Sequence, residues 1–189
     1  MMTGSAPISQ DVLDFLKVCF CAPICEGYGM TESAGGSCTT YPNDSESGHV
    51  GGPLQNVKIR LKDIPEMSYY STDKPYPRGE ICFWGSSVMT GYFKNPKKTA
   101  EAMHGEWLRS GDVGMVLSTG AIKIFDRAKN IFKLSQGEYL APEKLENVYI
   151  QSPWIQQIWI HGDPLHDWIL AIIVLDPDRL KKYTDQTGK

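Results

Sequence analysis

The sequence predicts an α/β region that runs into a small α+β unit, and three observations carry that prediction. A glycine-rich polar stretch, residues 26–52, follows a helix and a short apolar segment. Several short strands between residues 50 and 125 then suggest a small barrel or a distorted sheet. After Asp126 the character changes, and two strong apolar strands are interleaved with helices whose starts are marked by proline.

Each element has a local reason. Ser9 is placed to cap a first helix, with Asp11 in its first turn and Leu13, Leu16 and Phe20 on one face. Residues 21–25 read as a short buried strand. Val57-Lys58-Ile59-Arg60-Leu61-Lys62 alternates apolar and basic without a break, the pattern of a strand with one wet face. Residues 65–77 read as a long loop and residues 80–84 as another strand. Asn95-Pro96 opens a short helix carrying Lys97, Lys98 and Glu101. Residues 112–117 and 121–125 form a hairpin around Ser118-Thr119-Gly120. Beyond a boundary near residue 126, residues 131–134 make a brief strand and Gly137 marks a turn. Pro142 starts a helix that points Leu145, Val148 and Tyr149 inward. Residues 154–161 and 168–175 are two strands joined by the turn-rich stretch 161–167, and Asp176-Pro177 starts a final helix that runs to the end. Two strands and two helices leave little room for a closed core, so this second unit reads as unfinished.

Composition narrows the function. A chain of 189 residues holds one domain, or one and part of a second, and buries a core without disulfide or metal support. An apolar content of 41% with 11% aromatics argues against disorder. The net charge is −3 and there is no Lys/Arg block, which removes the electrostatic footprint of a nucleic-acid binder. The longest apolar run, residues 168–175, is too short to span a bilayer. The first residues, Met1-Met2-Thr3-Gly4-Ser5-Ala6-Pro7, lack the basic and apolar regions of a signal peptide. The segment therefore reads as soluble and cytosolic. Five cysteines, Cys19, Cys21, Cys25, Cys38 and Cys82, with no secretory signal, point to reduced thiols. The Cys21-x3-Cys25 spacing would suit zinc, but no second Cys/His pair follows, and buried structural thiols are the favoured interpretation.

Three segments carry residue types suited to chemistry. In Glu26-Gly27-Tyr28-Gly29-Met30-Thr31-Glu32-Ser33, glycines allow close backbone approach, a tyrosine ring offers a stacking face and a threonine hydroxyl can donate to phosphate. Glu32 beside it can hold Mg²⁺, which takes oxygen ligands and bridges phosphates. On composition alone, an ordinary capped loop is favoured. In Trp107-Leu108-Arg109-Ser110-Gly111-Asp112-Val113-Gly114, Asp112 can accept from two vicinal hydroxyls such as those of ribose, or simply bond its own backbone in a turn. Residues 126–133 hold three cations, Arg127, Lys129 and Lys133, of which Arg127 can clamp a phosphate or ribose. A solvated basic turn is the ordinary alternative. His161 and His166 flank Asp163, where metal binding is disfavoured against a plain loop.

Taken together and in order, these segments resemble the adenylate-forming superfamily of acyl-CoA synthetases, luciferases and peptide-synthetase adenylation domains. Within it the chain resembles the eukaryotic long-chain fatty acyl-CoA synthetases. The residues that carry the likeness are Thr3 to Pro7, Glu26 to Glu32, Gly48-His49-Val50-Gly51-Gly52-Pro53, Arg78-Gly79-Glu80, Gly91-Tyr92-Phe93, Trp107 to Gly114 and residues 126–147, so it covers essentially the whole chain. Three residues separate Lys133 from Gly137, where the wider superfamily has two, and the longer form resembles the long-chain branch.

The resemblance implies a fold and a reaction. Residues 1–125 would be the C-terminal part of a large AMP-binding domain, including a small distorted β-barrel. Residues 126–189 would be the hinge and first part of a small C-terminal α+β domain. With Mg²⁺, a fatty acid and ATP would give acyl-AMP and pyrophosphate, and CoA as co-substrate would take the acyl group as a thioester. Gly4, Ser5, Ala6 and Pro7 would back the adenine, with Tyr28 against it in the segment Glu26, Gly27, Tyr28, Gly29. Thr31 would contact the α-phosphate, Glu32 would bind Mg²⁺, and Asp112 and Arg127 would hold the ribose. Asp126 matches the hinge position, and Lys133 with the Gly137 loop matches the face used for thioester formation. No side-chain nucleophile is required, because the substrate carboxylate and thiol fill that role. The family's upstream phosphate loop and its downstream adenylation lysine have no counterpart here, and the chain stops at Thr187-Gly188-Lys189, so an internal piece of a longer protein is expected, without ligase turnover of its own. The parent would lie on the cytoplasmic side of intracellular membranes, with the endoplasmic reticulum as the expected site, and any membrane association would be encoded outside this segment. The competing expectations are another acid ligase (medium-chain, aryl or acyl-AMP-forming) and a non-catalytic nucleotide-binding module.

Overall fold

The structure, a computed structural model, describes residues 1–163 and 165–187. Part of the stretch 161–167 and the last two residues of the expected final helix therefore lie outside the described residues. The chain divides into two compact units, Met1–Phe125 and Asp126–Lys189.

The first unit opens with Met2–Gly4 (β1), Gln10–Phe20 (α1) and Cys25–Tyr28 (β2). Ser9 caps α1 as expected, its hydroxyl accepting from Val12 N–H at 3.4 Å. Leu13 is buried at 2% exposure, but Phe20 at the end of the same stripe is 56% exposed. The strand expected at residues 21–25 begins only at Cys25 and runs on through Tyr28. The reason is directional. β2 lies parallel to β1, pairing Gly4 with Gly27, and a parallel pair needs a crossover. Cys21 ends α1 in a left-handed conformation, and the chain needs residues 22–24 to come back into line. Cys21 is exposed and Cys25 half-buried, contrary to the expectation of buried thiols for that pair, while Cys19 is exposed and Cys38 and Cys82 are buried. Cys38–Thr39 (β3) and Gly52–Pro53 (β4) complete a four-stranded sheet in the order β1-β2-β3-β4.

The second sheet is built from Val57–Lys62 (β5), Arg78–Gly85 (β6), Met103–His104 (β7), Trp107–Val116 (β8) and Ile122–Arg127 (β9), with the helix Pro96–Ala102 (α2) before β7. Its order is β5-β6-β8-β7, with β9 on β8, and it curls as a half-barrel. Strand β8 starts five residues earlier than the hairpin pattern suggests, because Leu108 and Arg109 pair with Phe83 and Cys82 across the sheet. The wet face of β5 is not bare. Lys58 lies over the Trp84 ring and Arg60 over the Trp107 ring, each at 4.5 Å. On the other face Ile81, Phe83 and Leu108, all at 0% exposure, form the core with Val57, Ile122, Val50 and Cys38.

The second unit begins with Asp126 and Arg127 at the end of β9. The two-residue strands Phe132–Lys133 (β10) and Tyr139–Leu140 (β11) make a hairpin around Gly137, whose φ of 94° is the left-handed turn geometry glycine allows. Pro142–Tyr149 (α3) packs on Ile155–Gly162 (β12), which pairs antiparallel with Ile169–Leu175 (β13), and Pro177–Thr187 (α4) follows. Val148 and Tyr149, expected inward, are 60% and 51% exposed. An eight-residue helix on a two-stranded sheet has only one covered side, and it is turned by Pro142. No helix among the described residues is long and apolar enough to cross a membrane.

Candidate active site

In the first unit, the Gly4-Ser5-Ala6-Pro7 segment leaves β1 at its carboxyl end, and Tyr28 ends the neighbouring parallel strand β2. Such paired strand ends are where open α/β sheets bind ligands. The segment is exposed, and Ser5 adopts φ +72°, an uncommon conformation for a side-chain-bearing residue. Gly27 pairs with Gly4. Gly29 has no room for a side chain, since a Cβ there would sit 2.0 Å from the Gly35 carbonyl oxygen. Glu26 is 9% exposed, and its N–H donates to Thr40 Oγ1 at 2.8 Å. Burial pushes its carboxyl above the ordinary value, partly opposed by Lys17.

Two carboxylates singled out by the sequence are each held by a phenol. Tyr28 Oη donates to Asp112 Oδ2 at 2.6 Å, joining the first sheet to β8. The Tyr28 ring also packs on Phe83 with centroids 5.6 Å apart. Burial first, and then the Asp112 charge, push the Tyr28 hydroxyl far above its ordinary range, so it stays a donor. Asp112 follows Gly111 at φ +75°, and its N–H donates to Ser110 Oγ at 3.0 Å. The turn is thus bonded by the Ser110 hydroxyl rather than by the Asp112 carboxylate, which accepts from Tyr28.

Thr31, Glu32 and Ser33 form a single 3-10 turn, in which Thr31 is exposed and Ser33 fully buried. The Ser37 hydroxyl donates to Ser33 Oγ at 2.8 Å, pinning the turn from below. Glu32 Oε1 accepts from Tyr92 Oη at 2.5 Å, and the Glu32 carbonyl accepts from Met89 N–H at 2.8 Å. The Tyr92 hydrogen bond is the main cause that lowers the Glu32 carboxyl below its ordinary value. Its own backbone N–H adds a second, smaller lowering. A half-exposed, ionised carboxylate held by Tyr92 suits a hard cation that takes its remaining ligands from phosphates. No group of three or more His, Cys, Asp or Glu side chains with metal-binding proximity occurs among the described residues.

The other sequence candidates lie in the second unit. Asp126 is buried at 2% exposure. Its Oδ1 accepts from Arg127 N–H at 2.6 Å and Asn130 Nδ2 at 3.4 Å, and its Oδ2 accepts from Glu143 N–H at 3.1 Å. Ala141 offers α3 no side-chain cap, so Asp126 satisfies that helix end from sixteen residues before its first residue, Pro142. Burial, and next the Asp126 charge, raise the Glu143 carboxyl. Arg127 is exposed. Lys133 is exposed, with Nζ 5.3 Å over the Tyr139 ring, and Gly137 lies at the tip of that hairpin.

The residue that sequence reasoning left without a role is Tyr92. It stands in Gly91-Tyr92-Phe93, yet no spacing rule links it to Glu32, sixty residues away. The usable signal is the rigid local frame, a glycine before it and the Asn95-Pro96 helix start after it.

Comparison with known proteins bears on the family and the fold. Residues 1–93 match the family model described as AMP-binding enzyme. The chain is 47% identical, over 100% of its length, to long chain acyl-CoA synthetase 7, peroxisomal, of Arabidopsis thaliana, and 44% identical, again over 100%, to long-chain-fatty-acid–CoA ligase 1 of Homo sapiens. It covers 27% of each, so it spans about a quarter of the curated relatives' length. The adenylation domain of a carboxylic acid reductase from Segniliparus rugosus, solved with AMP and a co-purified carboxylic acid, superposes with a TM-score of 0.84 at 35% identity, covering 97% of this chain and 28% of that one. By sequence and by fold, the chain belongs to the adenylate-forming superfamily of AMP-binding enzymes.

Proposed function

We propose that the protein of which this chain is a part is an ATP-dependent long-chain fatty acid–CoA ligase. A fatty acid carboxylate oxygen attacks the α-phosphorus of ATP, the bond to the pyrophosphate oxygen breaks, and acyl-AMP forms. The sulfur of CoA then attacks the acyl carbon and AMP leaves. The observation that supports this most is the pair of phenol-held carboxylates, Glu32 on Tyr92 within the residues that match a family of AMP-binding enzymes, and Asp112 held by Tyr28 of those same residues.

In this proposal Gly4 to Pro7 and the Tyr28 ring enclose the adenine, and Asp112 accepts from the ribose hydroxyls, with Arg127 assisting. Glu26, Gly27 and Gly29 shape the strand end that lets the nucleotide approach backbone. Thr31 donates its hydroxyl to the α-phosphate. Glu32 would hold Mg²⁺, and the bound ion would supply neutralisation of the phosphate charge. Residues 1–125 are then the end of the large AMP-binding domain and residues 126–189 the hinge and start of the small one. Asp126 is the pivot, and Lys133 with Gly137 belongs to the thioester-forming face. The 189 residues alone are expected to show no ligase turnover. The full-length protein is placed on the cytoplasmic side of intracellular membranes, with the endoplasmic reticulum as the site to be checked by imaging, because two relatives are named peroxisomal.

Pyrophosphate release by the full-length protein with ATP, Mg²⁺ and palmitate tests the proposal. Palmitate-dependent release, abolished by Glu32→Gln and strongly reduced by Asp112→Asn, is the expected outcome. Release that needs no fatty acid, or that is indifferent to both substitutions, refutes it. A medium-chain or aryl acid preferred over palmitate would move the protein to another acid ligase class.

A further inference from the structure

Of the two phenols, Tyr28 belongs to the proposed nucleotide site itself. Tyr92 does not. It stands at the start of the α2 segment, and its contacts hold it firmly. Its N–H donates to Thr99 Oγ1 at 2.9 Å, and that hydroxyl donates onward to the Asn95 carbonyl at 3.0 Å. Asn95 N–H returns to the Tyr92 carbonyl at 3.1 Å, while Asn95 Oδ1 caps α2 by accepting from Lys98 N–H at 3.0 Å. Lys98 Nζ lies 4.3 Å over the Tyr92 ring. Gly91, at φ +153°, lets the chain pass under Thr99, where a Cβ would stand 2.8 Å from Thr99 Cγ2. The phenol is thus fixed at its backbone and its ring before it reaches Glu32.

Glu32 in turn is tied twice to the same segment, by the Met89 N–H on its carbonyl and by the Tyr92 hydroxyl on Oε1. Its own support is a single 3-10 turn, too short to fix a glutamate rotamer. A glutamate side chain has three rotatable bonds, and an unheld one would spread its oxygens over several positions. The hydroxyl removes much of that freedom by fixing Oε1.

We infer that Tyr92 is a positioning residue for the proposed metal-binding carboxylate. It fixes the carboxylate that would hold Mg²⁺, and acts through Glu32 rather than on substrate. The inference rests on the ligase proposal for the identity of the bound ion, and on the 2.5 Å contact for the link between the two side chains. Partners that orient a metal ligand are worth about 10- to 100-fold in metal affinity when removed. The same order applies here, with the smaller end expected for a ligand shared with phosphates.

The test uses the full-length protein and two readouts. In Tyr92→Phe, the Mg²⁺ concentration giving half-maximal pyrophosphate release at saturating ATP rises about tenfold, while kcat at saturating metal stays within about twofold. Binding of Mn²⁺ with ATP, followed by electron paramagnetic resonance, weakens by the same factor. In the Glu32→Gln background, read by Mn²⁺ binding with ATP because release is already lost, the second substitution adds nothing, since both act through one carboxylate. Thr99→Val, which loosens Tyr92 without removing its hydroxyl, shifts metal dependence in the same direction by a smaller factor and serves if Tyr92→Phe does not fold. A metal dependence unchanged in Tyr92→Phe, or its full effect persisting in Glu32→Gln, overturns the inference. If fatty-acid-dependent release is absent from the wild type but Mn²⁺ binding with ATP still weakens in Tyr92→Phe, the ligase proposal fails and the positioning role stands.

Discussion

The two compact units treat apolar residues in opposite ways. In Met1–Phe125, Ile81, Phe83, Leu108 and Val113 are at 0% exposure, and the cations of β5 cover the indoles on the outer face. In the unit that begins at Asp126, Leu134 and Ile160 are buried, yet every residue of β13 is exposed, Ile172 at 55%. The strand with the more hydrophobic sequence is the less buried one. A near-continuous apolar strand is suited to being covered on both faces, and here α3 lies against β12 alone among the strongly packed pairs. The candidate carboxylates differ in the same way. Glu32 and Asp112 are held by side chains fixed in a packed scaffold, whereas the Asp126 carboxylate is taken up by donors of its own small unit.

Substitutions can break or sharpen this contrast. The largest effect is expected at Phe83, where Phe83→Ala should cost about 3–5 kcal/mol in urea unfolding of the 189-residue chain. A loss below 1 kcal/mol there would mean the half-barrel is not the stable core. Next is Arg109→Met, which strands the Glu80 carboxylate, 5% exposed and bonded by Arg109 Nε at 3.1 Å and 3.0 Å. Because the arginine is itself 39% exposed, about 2 kcal/mol is expected rather than the cost of breaking a fully buried pair. Adding Glu80→Gln should recover part of it. Asp126→Ala should cost about 1–2 kcal/mol by uncapping α3, and hydrogen exchange should speed up in residues 142–149 and not in β6.

Glu26 is a test of sign. Its carboxyl is raised above 4.5 mainly by burial, so the folded chain binds that proton more tightly than the unfolded chain. The stability it supports is complete at pH below 4.5 and is lost as pH rises through the raised value. Glu26→Gln should therefore gain on the wild type at neutral pH, and the gain should vanish in acid. A gain that grows in acid would show a carboxyl lowered instead. The smallest effect is expected on the open strand, where Ile172→Thr should change stability by about 0.5 kcal/mol or less.

Local features were legible because their physics is local. Ser9 and Asn95 cap the helices that follow them, since a side-chain oxygen three residues ahead of an N–H needs no tertiary help. The alternation in Val57–Lys62 reports a strand for the same reason. The misread elements depend on what lies elsewhere. Residues 21–24 are apolar enough for a strand, yet they are spent on returning the chain to β1. Val148 and Tyr149 continue the stripe of α3, but nothing among the described residues covers them at that end. At the site, residue types were visible and pairings were not. Tyr28, Glu32 and Asp112 stand out by their neighbours, while the partners that hold them are 84 and 60 residues distant.

The sequence by itself determined the order of the motif segments, the helix starts and the residue types able to meet a nucleotide, a phosphate and a hard cation. These depend on hydrogen bonds and periodicities within a few residues of each position. Only the tertiary structure decided that Tyr28 meets Asp112, that Tyr92 meets Glu32, that Asp126 caps a helix sixteen residues on, and which apolar strand is covered. Each of those requires two stretches far apart in the chain to be brought within about 3 Å, and chain closure of that kind is set by the packing of whole sheets.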